Sequence, residues 1–180
     1  MKMAWGITGA GDKMKETFDA MKAIKEVHGE ALEVEVFLSK AGEQVVKYYR
    51  IRDELEGIGK VWVEKNANSP FLAARLQLGE FGLLLIAPAT SNTVAKLAYG
   101  IADTMLTNAA IQGMKTLTPT YIMPVDYREG TTVTKLPSGK ELELRVRRED
   151  AENVARLEAM EGITPFERVE EIRGIVESHL

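Results

Sequence analysis

The chain predicts a doubly wound parallel α/β sheet, three layers deep, with a helix layer on each face. Three observations predict it. Short apolar runs at 3–7, 32–38, 61–63, 83–87 and 120–123 alternate with stretches of helical periodicity. The run at 83–87 is apolar without interruption, the pattern of a strand buried on both faces. Three of the runs end in short turns rich in glycine or hydroxyl side chains, and open α/β sheets bind ligands at such ends.

Each element follows from local signals. The first run leads into Thr8-Gly9-Ala10-Gly11. Met14, Phe18, Met21, Ile24 and Val27 then recur at helical spacing, and Gly29 is placed to stop the helix. The second strand is rich in β-branched residues. It ends at Ser39-Lys40-Ala41-Gly42, read as a turn before a helix from Glu43 to Ile51 or Leu55. After the short third strand, Asn66-Ala67-Asn68-Ser69-Pro70 reads as a loop that opens a helix, with Ser69 as N-cap and Pro70 in the first position. Gly79-Glu80-Phe81-Gly82 ends that helix. One helix is expected after the fourth strand, with Val94, Leu97, Ile101, Met105, Leu106 and Ala109 on its apolar side. The fifth strand stops at Pro124.

Beyond it the pattern changes. Residues 131–136 and 140–147 read as a hairpin around Pro137-Ser138-Gly139, followed by two helices. The second helix carries a capping box, Thr164-Pro165-Phe166-Glu167. The expectation is one domain over residues 1–180, with a core over about 1–125 and a hairpin-and-helix appendage over about 126–180.

Composition narrows the function. A chain of 180 residues suits one well-buried domain. Its net charge of −4 gives no general basic field for nucleic acid. The absence of cysteine excludes disulfides, a thiol nucleophile and an iron–sulfur cluster held by this chain's own thiolates. With two histidines, His28 and His179, no metal site is expected. No run approaches the roughly 20 apolar residues of a membrane span, and the sequence opens directly on a strand rather than on an apolar leader. The expected location is the cytoplasm. Redox chemistry must then come from a bound organic cofactor or a partner.

The three turns supply the candidate site. Glycines in Gly6-Ile7-Thr8-Gly9-Ala10-Gly11 let backbone N–H groups approach an anion, although the spacing is not the Gly-x-Gly-x-x-Gly of dinucleotide folds. Where dinucleotide sites place Asp or Glu to hold a ribose, this chain has Ser39-Lys40. A hydroxyl and an ammonium suit a phosphate. That favours a mononucleotide such as FMN over NAD and leaves NADP open. Ser39 can equally cap the next helix. Thr90-Ser91-Asn92-Thr93 offers three hydroxyls and an amide at a helix N-terminus, more than capping requires. Asn92 can donate and accept at once, as the polar edge of a flavin ring demands. Lys96, Tyr99 and Asp103 fall on the exposed side of the same helix. Arg145, Arg147 and Arg148, with Lys135 and Lys140 across the hairpin, form a basic cluster: a solvated face, or a dock for an acidic redox partner or an anionic substrate.

The run Pro88-Ala89-Thr90-Ser91-Asn92-Thr93, continuing through Ala95-Lys96-Leu97-Ala98-Tyr99-Gly100-Ile101-Ala102-Asp103, resembles the Pro-Ala-Ser-Ala-Asn-Thr signature of the homo-oligomeric flavin-containing cysteine decarboxylase family. The resemblance covers about residues 3–125. It implies a Rossmann-like FMN protein built on trimers, with flavin near the subunit contacts. Carried over by position, Gly9, Ala10, Gly11 and Ser39 would hold the phosphate and ribityl chain. Thr90, Ser91, Asn92 and Thr93 would face the ring. The family's decarboxylases carry a histidine base after the third strand and a cysteine in a substrate clamp after the fifth. Here those regions are Asn66-Ala67-Asn68-Ser69-Pro70 and Pro124-Val125-Asp126-Tyr127-Arg128-Glu129-Gly130, with neither residue. The flavin prenyltransferase branch is matched only in part near 124–128. What remains is the branch of archaeal flavoproteins and dihydromethanopterin reductase-like proteins. It implies a homo-oligomer that takes electrons from ferredoxin or NAD(P)H and passes them to a small-molecule acceptor such as a dihydropterin. The alternatives are a decarboxylase or prenyltransferase of the same superfamily, and a non-catalytic FMN-binding protein. No catalytic residue is assigned, although Asp126 or Tyr127 can serve as a proton donor.

Overall fold

A computed structural model describes residues 1–136 and 138–180. Five strands form the parallel sheet core: β1 (Lys2–Ile7), β2 (Glu33–Leu38), β3 (Lys60–Val63), β4 (Leu83–Ala89) and β5 (Thr120–Pro124). A short strand, β8 (Thr164–Pro165), extends the edge, giving the order β3-β2-β1-β4-β5-β8. Every pairing in this sheet is parallel, with Trp5 level with Val36 on one side and Leu85 on the other.

β4 is buried at all seven residues because it lies centrally, with helices above and below. Each of its fully buried leucines contributes about 1.5–3 kcal/mol. One apolar layer packs Trp5, Val36, Leu38 and Leu85 against α1 (Met14–His28), α2 (Lys40–Tyr49), α3 (Arg52–Ile58) and α8 (Glu171–Glu177). The opposite layer packs Ala4, Phe37, Leu84 and Ile86 against α4 (Leu72–Gln77), α5 (Ser91–Ala98), α6 (Met105–Lys115) and α7 (Arg148–Glu158). Strands β6 (Gly130–Lys135) and β7 (Glu141–Val146) pair antiparallel as a separate hairpin. Pro137, expected in its turn, lies outside the described residues. Among the described residues no helix is long and apolar enough to cross a membrane.

Several expectations are corrected. Val27 ends the apolar stripe of α1 on the sequence, yet it is 63% exposed. Ser39-Lys40-Ala41-Gly42 is not a free turn: Ser39 caps α2, and the next three residues form its first turn. Ser69 does not cap α4. The Asn66 side chain accepts the Asn68 and Ser69 N–H groups in a local turn, and the helix begins two residues after Pro70. The single helix expected from Thr93 to Ala109 is two. Gly100 adopts a φ of +70° beyond the end of α5, a conformation glycine permits, and Thr104 starts α6 with a capping box to Thr107. Ile101, assigned to the apolar stripe, is exposed in the break. Thr164 and Pro165 pair with β5 instead of capping a helix, and Phe166 N–H donates to the Ile122 carbonyl at 2.9 Å.

Candidate functional site

Strand order reverses between β1 and β4, and the crevice outside their carboxyl ends is the switch point of the sheet. Thr8 fixes this crevice. Its buried hydroxyl donates to the Pro88 carbonyl at 2.9 Å and accepts the Thr90 N–H at 2.9 Å. Within the same two strands, Trp5 Nε1 of β1 donates to the Ala87 carbonyl of β4 at 2.7 Å. The turns after β1 and β4 are therefore clamped to each other.

Helix α2 presses on the same place. A Cβ built on Gly42 would stand 2.4 Å from the Ile7 carbonyl oxygen, and one on Gly9 would stand 2.6 Å from the Ala41 Cβ. Only glycine allows that approach. The Ser39 hydroxyl accepts the Gly42 N–H at 2.9 Å. At α5 the Thr90 hydroxyl accepts the Thr93 N–H at 3.3 Å and meets the Thr93 hydroxyl at 3.1 Å. The Ser91 hydroxyl donates to the Asp126 carboxylate. Asn92 is exposed.

Two cavities open on this cluster. One, of about 450 Å³, is bordered by Ala10, Gly11, Ser91 and Asp126, with walls of Val45, Tyr48, Tyr49, Val125 and Leu144. The other, of about 430 Å³, is bordered by Gly9, Ser39, Lys40, Thr93, Asp103 and Thr104. Thr90 and Asn92 line both. The eight candidate residues are thus divided. Ala10, Gly11 and Ser91 face the first cavity, Gly9, Ser39 and Thr93 face the second, and Thr90 and Asn92 form the ridge between them.

Some contributors had little local signal. Glu64, at the end of β3, is buried and accepts the Lys40 N–H and the Met105 N–H, each at 3.1 Å. It holds the first turns of α2 and α6 from elements 24 and 41 residues away, so no local pattern marks it. Thr132, Thr134 and Leu144 of the hairpin also line the first cavity. They share one face of the hairpin, where Thr132 pairs with Leu144 and Thr134 lies two residues on. Asp12 lies at the rim of the same cavity. Burial raises its carboxyl above the ordinary range, against the attraction of Lys13.

Other side chains are placed differently from the sequence reading. Asp103 is in the break between α5 and α6, paired with Lys96 at 2.8 Å. Tyr99 is 62% exposed, with the Arg156 guanidinium over its ring at 4.7 Å. The basic cluster of the hairpin is neutralised locally. Arg147 pairs with Asp150 at 2.6 Å and Arg148 with Glu152 at 2.6 Å, while Arg145 reaches Glu129 at 3.9 Å. The side chain of Lys135 lies outside what the structure describes. Tyr127 turns away from both cavities. Its hydroxyl donates to Glu158 at 2.8 Å, and burial together with that bond pushes its pKa up to about 12.

This geometry has known relatives. DmrB of Burkholderia xenovorans, solved with FMN and described as a cubic protein cage for redox transfer, superposes with a TM-score of 0.83. It is 31% identical, and the match covers 98% of this chain and 93% of that one. An uncharacterised protein of Methanocaldococcus jannaschii is 47% identical over 181 residues, covering 100% of this chain and 96% of that one. A dihydromethanopterin reductase (acceptor) of the same organism is 44% identical over 144 residues, 76% of this chain. This chain spans only 58% of that reductase's length. A model of the family described as flavoprotein matches residues 1–173. A match over nearly the whole chain, on a sheet whose switch point carries the turns described above, establishes that the chain belongs to the flavoprotein family.

Proposed function

We propose that the chain binds FMN across the two cavities that meet at Thr90 and Asn92, and acts as a reductase or electron carrier for a small acceptor of the dihydropterin class. The observation that carries this reading is the convergence of three strand-end turns on one ridge at the switch point. The donor set fits the cofactor. In one cavity the Ser39, Thr93 and Thr104 hydroxyls and the Lys40 ammonium suit a phosphate and a ribityl chain. The carboxylates beside them are already engaged, Asp103 by Lys96 and Glu64 by two backbone N–H groups. In the other cavity Val45, Tyr48, Val125 and Leu144 offer apolar walls for a flat ring.

Bound there, FMN supplies one- or two-electron chemistry that no side chain of this protein has. The chain's own residues do the rest. Asn92 pairs with the polar edge of the ring, and the clamped turns hold the ring's position. Asp126 accepts the Ser91 hydroxyl in the ring cavity and would hold that hydroxyl beside the ring. The Tyr127 proton is committed to Glu158, away from both cavities.

The names of the relatives support the reading. One is a dihydromethanopterin reductase, and another is a redox cage solved with FMN. Electrons enter from ferredoxin or NAD(P)H. The chain works as a homo-oligomer in multiples of three, with exposed Tyr99 and Ile101 beside the Asp103 cavity as contact residues. The decarboxylase alternative is not favoured, because the loop after β3 holds no histidine and the chain has no cysteine.

The test is the visible spectrum after incubation with excess FMN and desalting. Retained flavin bands, with about one FMN released per chain, are the expected result. A colourless protein would overturn the reading.

A further inference from the structure

Glu64 follows β3 directly and is tied to β2, α2 and α6 at once. Its backbone N–H donates to the carbonyl of Leu38, the last residue of β2, at 2.9 Å. Its Oε2 accepts the Lys40 N–H and its Oε1 accepts the Met105 N–H, each at 3.1 Å. Lys40 and Met105 are the first residues of α2 and α6. The N–H groups of a first helical turn have no intrahelical partners, and Glu64 takes one from each of two helices. Its side chain is buried, which shields both bonds from water.

The two helices have no other reason to keep a fixed spacing. Helix α2 packs in the layer of Trp5 and Leu85, and α6 packs in the opposite layer with Leu84 and Ile86. Apolar packing within either layer leaves the gap between their starts unset. On the α6 side the tie is reinforced, because Asn108 Nδ2 donates to the Ala67 carbonyl and to Asn68 Oδ1, each at 3.1 Å. Residues 64–68 thus hold both ends of the first turn of α6.

Both helix starts border the cavity proposed for the phosphate. Ser39, Lys40 and Ala41 line it from one, Thr104 and Leu106 from the other, and Glu64 shares the lining. The Ser39 hydroxyl accepts the Gly42 N–H at 2.9 Å, and the Thr104 hydroxyl accepts the Thr107 N–H at 3.3 Å. The Ala41 and Leu106 N–H groups, second in each helix, have no backbone partner among the described residues and are left for an anion. One anion can use both only while the two starts keep their separation.

We propose that Glu64 is the positioning residue of the phosphate cavity: by bonding the first amides of α2 and α6 together, it holds helices of opposite layers at one separation and shapes the cavity before a phosphate arrives. The proposal rests on the FMN reading. Preorganisation of this kind lowers the cost of binding. The role requires a carboxylate, since two N–H donors need two acceptors and an amide offers one, turning its own N–H groups toward the other donor. The negative charge is offset where it stands, because each oxygen meets the positive end of a helix dipole.

The test compares FMN with riboflavin, which lacks the phosphate, by the quenching of flavin fluorescence on binding. Glu64→Gln and Glu64→Ala should each bind FMN about tenfold more weakly, the worth of one hydrogen bond to a charged group, with riboflavin within about twofold of its wild-type affinity. Glu64→Ala also leaves a space of carboxylate size between two unpaired N–H groups. Sodium acetate should restore FMN affinity to that variant, and sodium chloride at the same ionic strength should not. Should the alanine variant fold poorly, Glu64→Gln carries the comparison of FMN with riboflavin. An unchanged FMN affinity, a riboflavin affinity that falls in step with it, or an acetate effect no larger than that of chloride would each overturn the assignment. Failure of the unmodified protein to retain FMN would instead overturn the reading beneath it.

Discussion

Asn92 stands on the ridge between the two cavities, exposed and with an amide that can both donate and accept. Replacing it by aspartate sets a negative charge against a ring that gains negative charge on reduction. Asn92→Asp should therefore weaken FMN retention or lower the bound flavin's reduction potential, read by spectroelectrochemical titration. Unchanged affinity and potential would remove Asn92 from the site. A second residue-scale prediction concerns Glu35. This buried carboxylate accepts two hydrogen bonds from Arg75 at 2.7 and 2.8 Å and one from Trp62 at 2.5 Å, and it pairs with Lys2 at 2.7 Å. Burial alone would raise its pKa, but these partners outweigh burial and hold it at about 2, below the ordinary 4.5. A carboxyl lowered in the folded state stabilises the protein above its unfolded pKa, and that stability is lost as pH falls through the folded value. The contribution at neutral pH is about 3 kcal/mol. Denaturant titrations of wild type and Glu35→Gln should differ most near neutrality and converge toward pH 2. The side chains around the two cavities were legible where they sat in a local motif, such as Thr90 to Thr93. Glu64 was not, because its partners Lys40 and Met105 are brought to it only by the sheet.

At the scale of elements, Gly42 is the position where α2 meets the end of β1. Gly42→Ala would force a methyl to within 2.4 Å of the Ile7 carbonyl. The helix must retreat, at a cost of about 1–3 kcal/mol. Ser39 and Lys40 would retreat with it, so thermal denaturation and FMN affinity should fall together. If affinity holds while stability falls, Ser39 and Lys40 are not cofactor contacts. Elements with strong periodicity, such as α1 and β4, were legible from spacing alone. The break between α5 and α6 was not, because an apolar repeat ran across Gly100 and masked a turn whose evidence lay in one glycine and one cap at Thr104. The capping box at Thr164 failed for a different reason. The free edge of β5 competes for the same backbone, and pairing to a sheet edge has no signature in the segment itself.

For the whole molecule, the last twenty residues close the structure. They supply β8 to the edge of the sheet and bury Phe166, Ile172 and Val176 in the layer beneath α1. Each such burial is worth about 1.5–3 kcal/mol. Removing residues 161–180 should cost several of these contributions and expose the β5 edge. A lower melting temperature with increased light scattering is expected. An unchanged melt would show that this segment is an accessory rather than part of the core.

The Thr8 hydroxyl uses both of its hydrogen-bonding roles, giving to Pro88 and receiving from Thr90. The amide proton of Thr90 is therefore locked inside a bridge between two central strands, although it belongs to a turn. Turn amides ordinarily trade hydrogen with solvent through small local openings. This one is freed only when the Thr8 hydroxyl leaves it, and that hydroxyl is buried and bonded to Pro88. In deuterium oxide the Thr90 amide should outlast the amides of exposed turns, and Thr8→Val should bring its exchange up to theirs.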